Sequence, residues 1–143
     1  SRLSADAAIV MLRDMGYDAA LLDAIHHAIA AHSYSAGIAP ETAEAKIVQD
    51  ADRLDGLGAI GIARCFTVGA LLSRPFYQDG DILAARRAPD DKAQTIDHFF
   101  VKLFKTAETL QTAAGRAEGA RRADYMRGYL ARFAAEAGEE AGN

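Results

Sequence analysis

Apolar residues recur every three or four positions along most of this chain, which is the spacing of one helix face and not of a strand. Ile9 and Leu12, with Met11 and Met15 beside them, predict a first helix from about Ala5 to Met15. Ser4 stands where an N-cap would, and Gly16 where a glycine closing the helix would. Leu21, Leu22, Ile25, Ala28 and Ile29 mark a second helix from about Asp18, its cap, to His32. The third opens at Pro40 or Glu41, since proline suits a first helical turn whose N–H has no partner. Ile47, Ala51, Leu54 and Leu57 follow at helical spacing, and the helix either continues through Gly56, Gly58 and Gly61 to Cys65 or breaks and restarts there. From about Val68 to Asp91 a long connection is expected, holding Pro75, Pro89 and the acids Asp79 and Asp81; such loops are often functional or mobile. A fourth helix, about Asp91 to Leu110, carries Ile96, Phe99, Phe100, Leu103, Phe104 and Ala107. A fifth, about Thr112 to Ala137, carries Tyr125, Met126, Tyr129, Leu130 and Phe133. The tail after Gly138 is expected to fray.

Composition strengthens the helical reading. The 143 residues include 32 alanines and only three prolines, so the best helix former is abundant and breakers are few. An all-α fold in a single domain over residues 1–143 is expected. The net charge of −4 gives no footing for a nucleic-acid backbone. No apolar run approaches the roughly 18 residues of a membrane helix, and the N-terminus has no signal-peptide pattern. The single cysteine, Cys65, excludes an intramolecular disulfide and fits a reducing, cytoplasmic setting. Its apolar neighbours mark it as a buried small hydrophobe and not a nucleophile.

The chemistry concentrates between His26 and Asp55. His26, His27 and His32 are followed by Asp50, Asp52, Arg53 and Asp55. Histidine with aspartate suits a divalent metal. Asp50 and Asp52 lie about 200° apart around a helix and cannot both face one ion. Asp52 and Asp55, three apart, share a face. Either Asp52 with Asp55 beside it, or Asp50 alone, is the candidate ligand. His32 falls at a helix end, from which a side chain can turn into a cleft; a histidine there is also favoured by the helix dipole without any function. Ser33, Ser35 and Thr42 are ordinary turn and cap residues. The arginines at 116, 121, 122, 127 and 132 stud the last helix among Glu118, Asp124 and Glu136, the pattern of a mixed-charge exposed face. Gly56, Gly58 and Gly61 match no phosphate-loop spacing.

The stretch His27-Ala-Ile-Ala-Ala-His32-Ser-Tyr-Ser, then Pro40 to Arg64 with Ala51-Asp52-Arg53-Leu54-Asp55 at its centre, resembles the HD-domain superfamily. More narrowly it is similar to small bacterial HD-domain phosphohydrolases. Asp97-His98-Phe99-Phe100-Val-Lys102-Leu and Leu110 to Arg116 are similar to the C-terminal part of that group. The resemblance implies an HD-type helical bundle holding a divalent metal such as Mn or Mg, and hydrolysis of a small phosphorylated substrate, a nucleotide among the candidates. It implies Asp52 as a metal ligand. His32 falls where some members hold a second metal or substrate, and Lys46, Arg53 and Asp55 are candidates for substrate contact or support. The family's first His and its His-Asp doublet lie upstream of the matched region, and no histidine here precedes His26. The chain is therefore expected to lack N-terminal helices of the fold and to be inactive alone. The alternative is a non-catalytic helical module that binds a partner or dimerises.

Overall fold

A computed structural model describes residues 2–33 and 36–138, and every described regular element is helical. They are α1 (Arg2–Asp14), α2 (Leu22–Ala31), α3 (Ala43–Asp55), α4 (Gly58–Leu71), α5 (Phe104–Ala107) and α6 (Ala113–Glu136). A 3-10 turn (Ala19–Leu21) precedes α2, and a π-helical turn (Phe99–Leu103) leads into α5. Ser35 and the tail beyond Gly138 lie outside the described residues.

Several ends follow the expected chemistry. At the end of α1, Gly16 adopts φ +74°, its N–H bonds the Arg13 carbonyl, and the Tyr17 N–H bonds that of Leu12. This is a Schellman closure, which a side chain at Gly16 would strain. Asp18 accepts from the Ala20 N–H at 2.9 Å, capping the 3-10 turn instead of α2 directly. Thr42 caps α3 through the Ala45 N–H, and Thr112 caps α6 through the Gly115 N–H. Ser4 lies inside α1 and is not its cap, because the helix already runs from Arg2.

Two boundaries differ from expectation. The third predicted helix breaks at Gly56–Leu57 and restarts, one of the two courses left open, but α4 then runs past the expected end at Cys65 to Leu71, shortening the connection. The break is fixed by close approach: a Cβ at Gly61 would fall 2.2 Å from the Gly56 carbonyl oxygen. The fourth predicted helix does not begin at Asp91. Thr95 and Ile96 donate their N–H groups to the carbonyls of Pro75 and Phe76 instead, so 91–96 is tied across the connection and helix starts only after it.

The residues group into two compact units. The first runs up to Arg53 and includes Leu110–Gly115. In it α1 packs on α2, and buried Ala5, Ile9, Leu22, Ala28, Ala31 and Ala45 form an alanine-rich interior. The second comprises Leu54–Thr109 and the chain from Arg116. Its core gathers Leu57, Ile62, Ile96, Phe99, Leu103, Met126 and Leu130. Phe66 is its aromatic hub, with Phe76, Phe99, Tyr129 and Phe133 at 5.0 to 6.3 Å between ring centroids. Phe99 is thus a core residue, while Phe100 and Phe104 line an open apolar cleft of about 360 Å³ beneath Arg127. None of the candidate site residues lines that cleft. Cys65 is buried beside Thr95, and burial pushes its thiol up to about 11, so it stays protonated at neutral pH.

The arginines of α6 are engaged as expected of a mixed-charge face. Arg121 and Arg122 pair with Glu118, Arg127 with Asp124, and Arg132 with Glu136. Arg122 also donates to the Leu54 carbonyl at 2.6 Å.

Candidate functional site

Helix α3 is turned so that polar residues face inward. Ala45, Gln49 and Asp50 are its buried positions, whereas Ile47 of the predicted apolar series is 59% exposed. The reason is that Gln49 and Asp50 satisfy the backbone ends of neighbouring helices, which an apolar face could not do.

The two candidate aspartates differ in environment, and Asp50 is committed within the fold. It is 3% exposed, and its carboxylate accepts from Gln111 N–H (2.7 Å), Thr112 N–H (2.8 Å) and the Thr112 hydroxyl (2.7 Å). A buried anion at a helix N-terminus meets both the free N–H groups and the positive end of the dipole. Gly115 completes the contact, since a Cβ there would lie 2.3 Å from an Asp50 oxygen. Asp50 is therefore a structural cap for α6, and the reading of it as a lone ligand is set aside. Asp55 is exposed and its carboxylate pairs with Arg64. Asp52 is exposed and makes no hydrogen bond or ion pair with any described residue. Of the three acids in this segment, only Asp52 presents an uncommitted carboxylate.

The other candidates lie close in sequence and differ in state. Lys46 and Arg53 are half-buried on α3. His32 caps the end of α2, and its Nδ1 lies 2.5 Å from the Ile29 carbonyl oxygen. A carbonyl can only accept, so Nδ1 carries the proton and Nε2 of the neutral ring keeps its lone pair. That tautomer suits a ligand or an acceptor. His26 pairs with Asp6 at 2.8 Å, and His27 accepts the Glu41 N–H at 2.9 Å, so both have local roles. Among the described residues, no group of three or more His, Cys, Asp or Glu side chains converges to hold an ion. Asp52 and His32 suit a divalent cation by donor type, but the described residues do not make a complete metal site. Sequence reasoning missed Gln49, whose buried amide donates to the Ala31 carbonyl at 2.7 Å.

No family model matches the chain. It is 33% identical over 87 residues to the uncharacterized protein YpgQ of Bacillus subtilis, a match covering 61% of this chain and 37% of that protein. The crystal structure of YpgQ superposes with a TM-score of 0.74 at 29% identity, over 94% of this chain and 64% of that one. A HD-superfamily hydrolase from Bacillus thuringiensis superposes at 0.75 and 28% identity, over 96% and 64%. In fold and in sequence the chain is similar to an HD-superfamily hydrolase. A protein from Lactobacillus plantarum gives 0.71 at 30% identity, over 93% and 68%. Another crystal structure of YpgQ is a complex with ADP. The chain thus spans a little under two thirds of the YpgQ chain. Its all-α HD-type architecture agrees with the sequence expectation, and the likeness to a named hydrolase does not favour the partner-binding alternative. No single helix among the described residues is long and apolar enough to cross a membrane.

Proposed function

We propose that this chain acts as a metal-dependent phosphohydrolase that cleaves a small phosphate ester, with a nucleotide as the favoured substrate class. The observation that carries the reading is the uncommitted, exposed carboxylate of Asp52 between two engaged acids. The complex of YpgQ with ADP supports the substrate class. Residues 1–143 are read as one HD-type helical domain, which spans a little under two thirds of the YpgQ chain. The cytoplasm is the compartment this reading expects.

Hydrolysis joins a water oxygen to phosphorus, breaks the bond to the ester oxygen and moves a proton onto the leaving group. A bound divalent cation would neutralise phosphoryl charge and acidify water. Within this chain, Asp52 is the proposed ligand. Lys46 and Arg53 are proposed to meet the remaining phosphate charge, and the Nε2 lone pair of His32 to accept a proton or bind a second ion. Asp55 is proposed to support the segment through Arg64.

The test is phosphate release by the complete protein from a panel of nucleoside phosphates, with Mn or Mg supplied and withheld. Turnover is expected only with metal, and Asp52→Ala is expected to lower it by at least ~100-fold while helical content survives. Full activity in Asp52→Ala, or metal-independent turnover, overturns the reading.

A further inference from the structure

Gln49 is the least expected residue in the interior of α3. It is 1% exposed and lies on the buried face of a helix where apolar packing alone would be served by leucine or methionine. Its Nε2 donates to the Ala31 carbonyl at 2.7 Å, and its Oε1 finds no partner among the described residues. The amide orientation is fixed by the acceptor, because a reversed amide would set two oxygens against each other. Burying an amide with half of its capacity unused is unfavourable. The bond it does make must therefore be the reason for the amide.

That bond has a directional consequence. The Ala31 oxygen and the His32 nitrogen belong to one rigid planar peptide unit. Holding the first fixes the plane from which His32 departs, and His32 is the residue at which α2 ends. On α3, Asp52 stands three residues after Gln49, one turn further along, with Gln49 buried and Asp52 exposed. Gln49 thus touches the peptide that orients His32 and neighbours the residue that presents the free carboxylate. Next to it, Asp50 fixes the helix rotation through Gln111 and Thr112.

We propose that Gln49 is a positioning residue, which ties the end of α2 to α3 and so sets His32 in one orientation relative to Asp52. The inference rests on the phosphohydrolase reading for its functional meaning, but its geometry can be tested without it.

The experiment labels the histidine rings with 15N and compares the full chain with Gln49→Met, which keeps length and loses the amide, at pH 8. In the wild type, His32 is expected to show one neutral tautomer with the proton on Nδ1, as its bond to Ile29 requires. In Gln49→Met, the Nδ1 and Nε2 signals of His32 are expected to move towards each other as the ring samples both tautomers, while those of His98 stay fixed. Should Gln49→Met not fold, Gln49→Leu also removes the amide without burying a charge and is expected to give the same result. Unchanged His32 signals in a folded variant overturn the proposal and leave Gln49 as a packing residue. A second readout, in the complete protein, is kcat against KM for the ester identified by the activity screen. At least a 10-fold fall in kcat with little change in KM is expected. Absence of turnover in the wild type sinks the phosphohydrolase reading, whereas the His32 signals still decide the role of Gln49.

Discussion

Replacing Arg87 by alanine is expected to remove about 3–5 kcal/mol of stability, the range for breaking a buried ion pair from one side. Asp97 is 0% exposed. Its carboxylate receives Arg87 through both terminal nitrogens, one at 2.8 Å, and the Asp90 N–H at 2.6 Å. The hydrogen bond to Asp97 raises the already high pKa of Arg87, so the cation persists at any working pH. Alanine would leave a buried carboxylate with one remaining donor. The double variant Arg87→Met with Asp97→Asn removes both charges of the pair and is expected to recover part of the loss, since Asp81, 3.8 Å from Arg87, keeps its backbone donors Ala85 and Arg86 but loses the cation. Arg87→Lys is expected to fall between, because an ammonium cannot match both oxygens. Urea titration measures all three. A loss below about 1 kcal/mol for Arg87→Ala, the range of exposed pairs, would mean that the pair is open to water in solution.

The second large effect is expected at Asp50. Asp50→Ala strips three hydrogen bonds from the start of α6 and removes the buried carboxylate that the N–H groups of Gln111 and Thr112 meet. A loss of about 3 kcal/mol is expected, somewhat above a typical exposed helix cap. Gly115→Ala is expected to destabilise as well, because its new methyl group would collide with the carboxylate. The two changes should not add. Once Asp50 is alanine the collision is gone, and the helix preference for alanine over glycine, about 1 kcal/mol, should show through. Gly115→Ala is therefore expected to destabilise the wild type and to stabilise Asp50→Ala. The same sign in both backgrounds would contradict the interlocked arrangement of Asp50, Thr112 and Gly115.

Much of the fold was legible because three- and four-residue spacing of apolar groups marks a helix wherever it is sustained. That held for α1, α2 and α6, and the glycine closing α1 was readable from its place. The start of the fourth helix was not, because Thr95 and Ile96 direct their N–H groups to residues some twenty positions earlier, and such a pairing leaves no local periodicity. The inward face of α3 was misjudged for a related reason. Ile47 fits an apolar series, but the helix is held by the polar bonds of Gln49 and Asp50, whose partners are chain ends distant in sequence.

The candidate site was partly legible. Helical geometry required that Asp50 and Asp52 divide their roles, yet an aspartate can cap a helix or bind an ion, and nothing local distinguishes the two. The distinction rests on Gln111, Thr112 and Gly115, about sixty residues away. The resemblance favoured Asp52 as the ligand, which stands here as a proposal, while Asp50 and Asp55 are engaged within the fold. Gln49 gave no sequence signal, since a glutamine inside a helix reads as an ordinary exposed residue until its burial is known.

The central claim is that Asp52 is the metal-binding carboxylate of this segment. The most direct test is a Mn titration of the complete protein followed by backbone amide NMR, in which the paramagnetic ion broadens the signals nearest to it. Broadening centred on Asp52 is predicted at the lowest metal concentrations, and it should vanish in Asp52→Asn. Broadening centred elsewhere, for example on Asp79 or Asp91, or persisting unchanged in Asp52→Asn, would contradict the account.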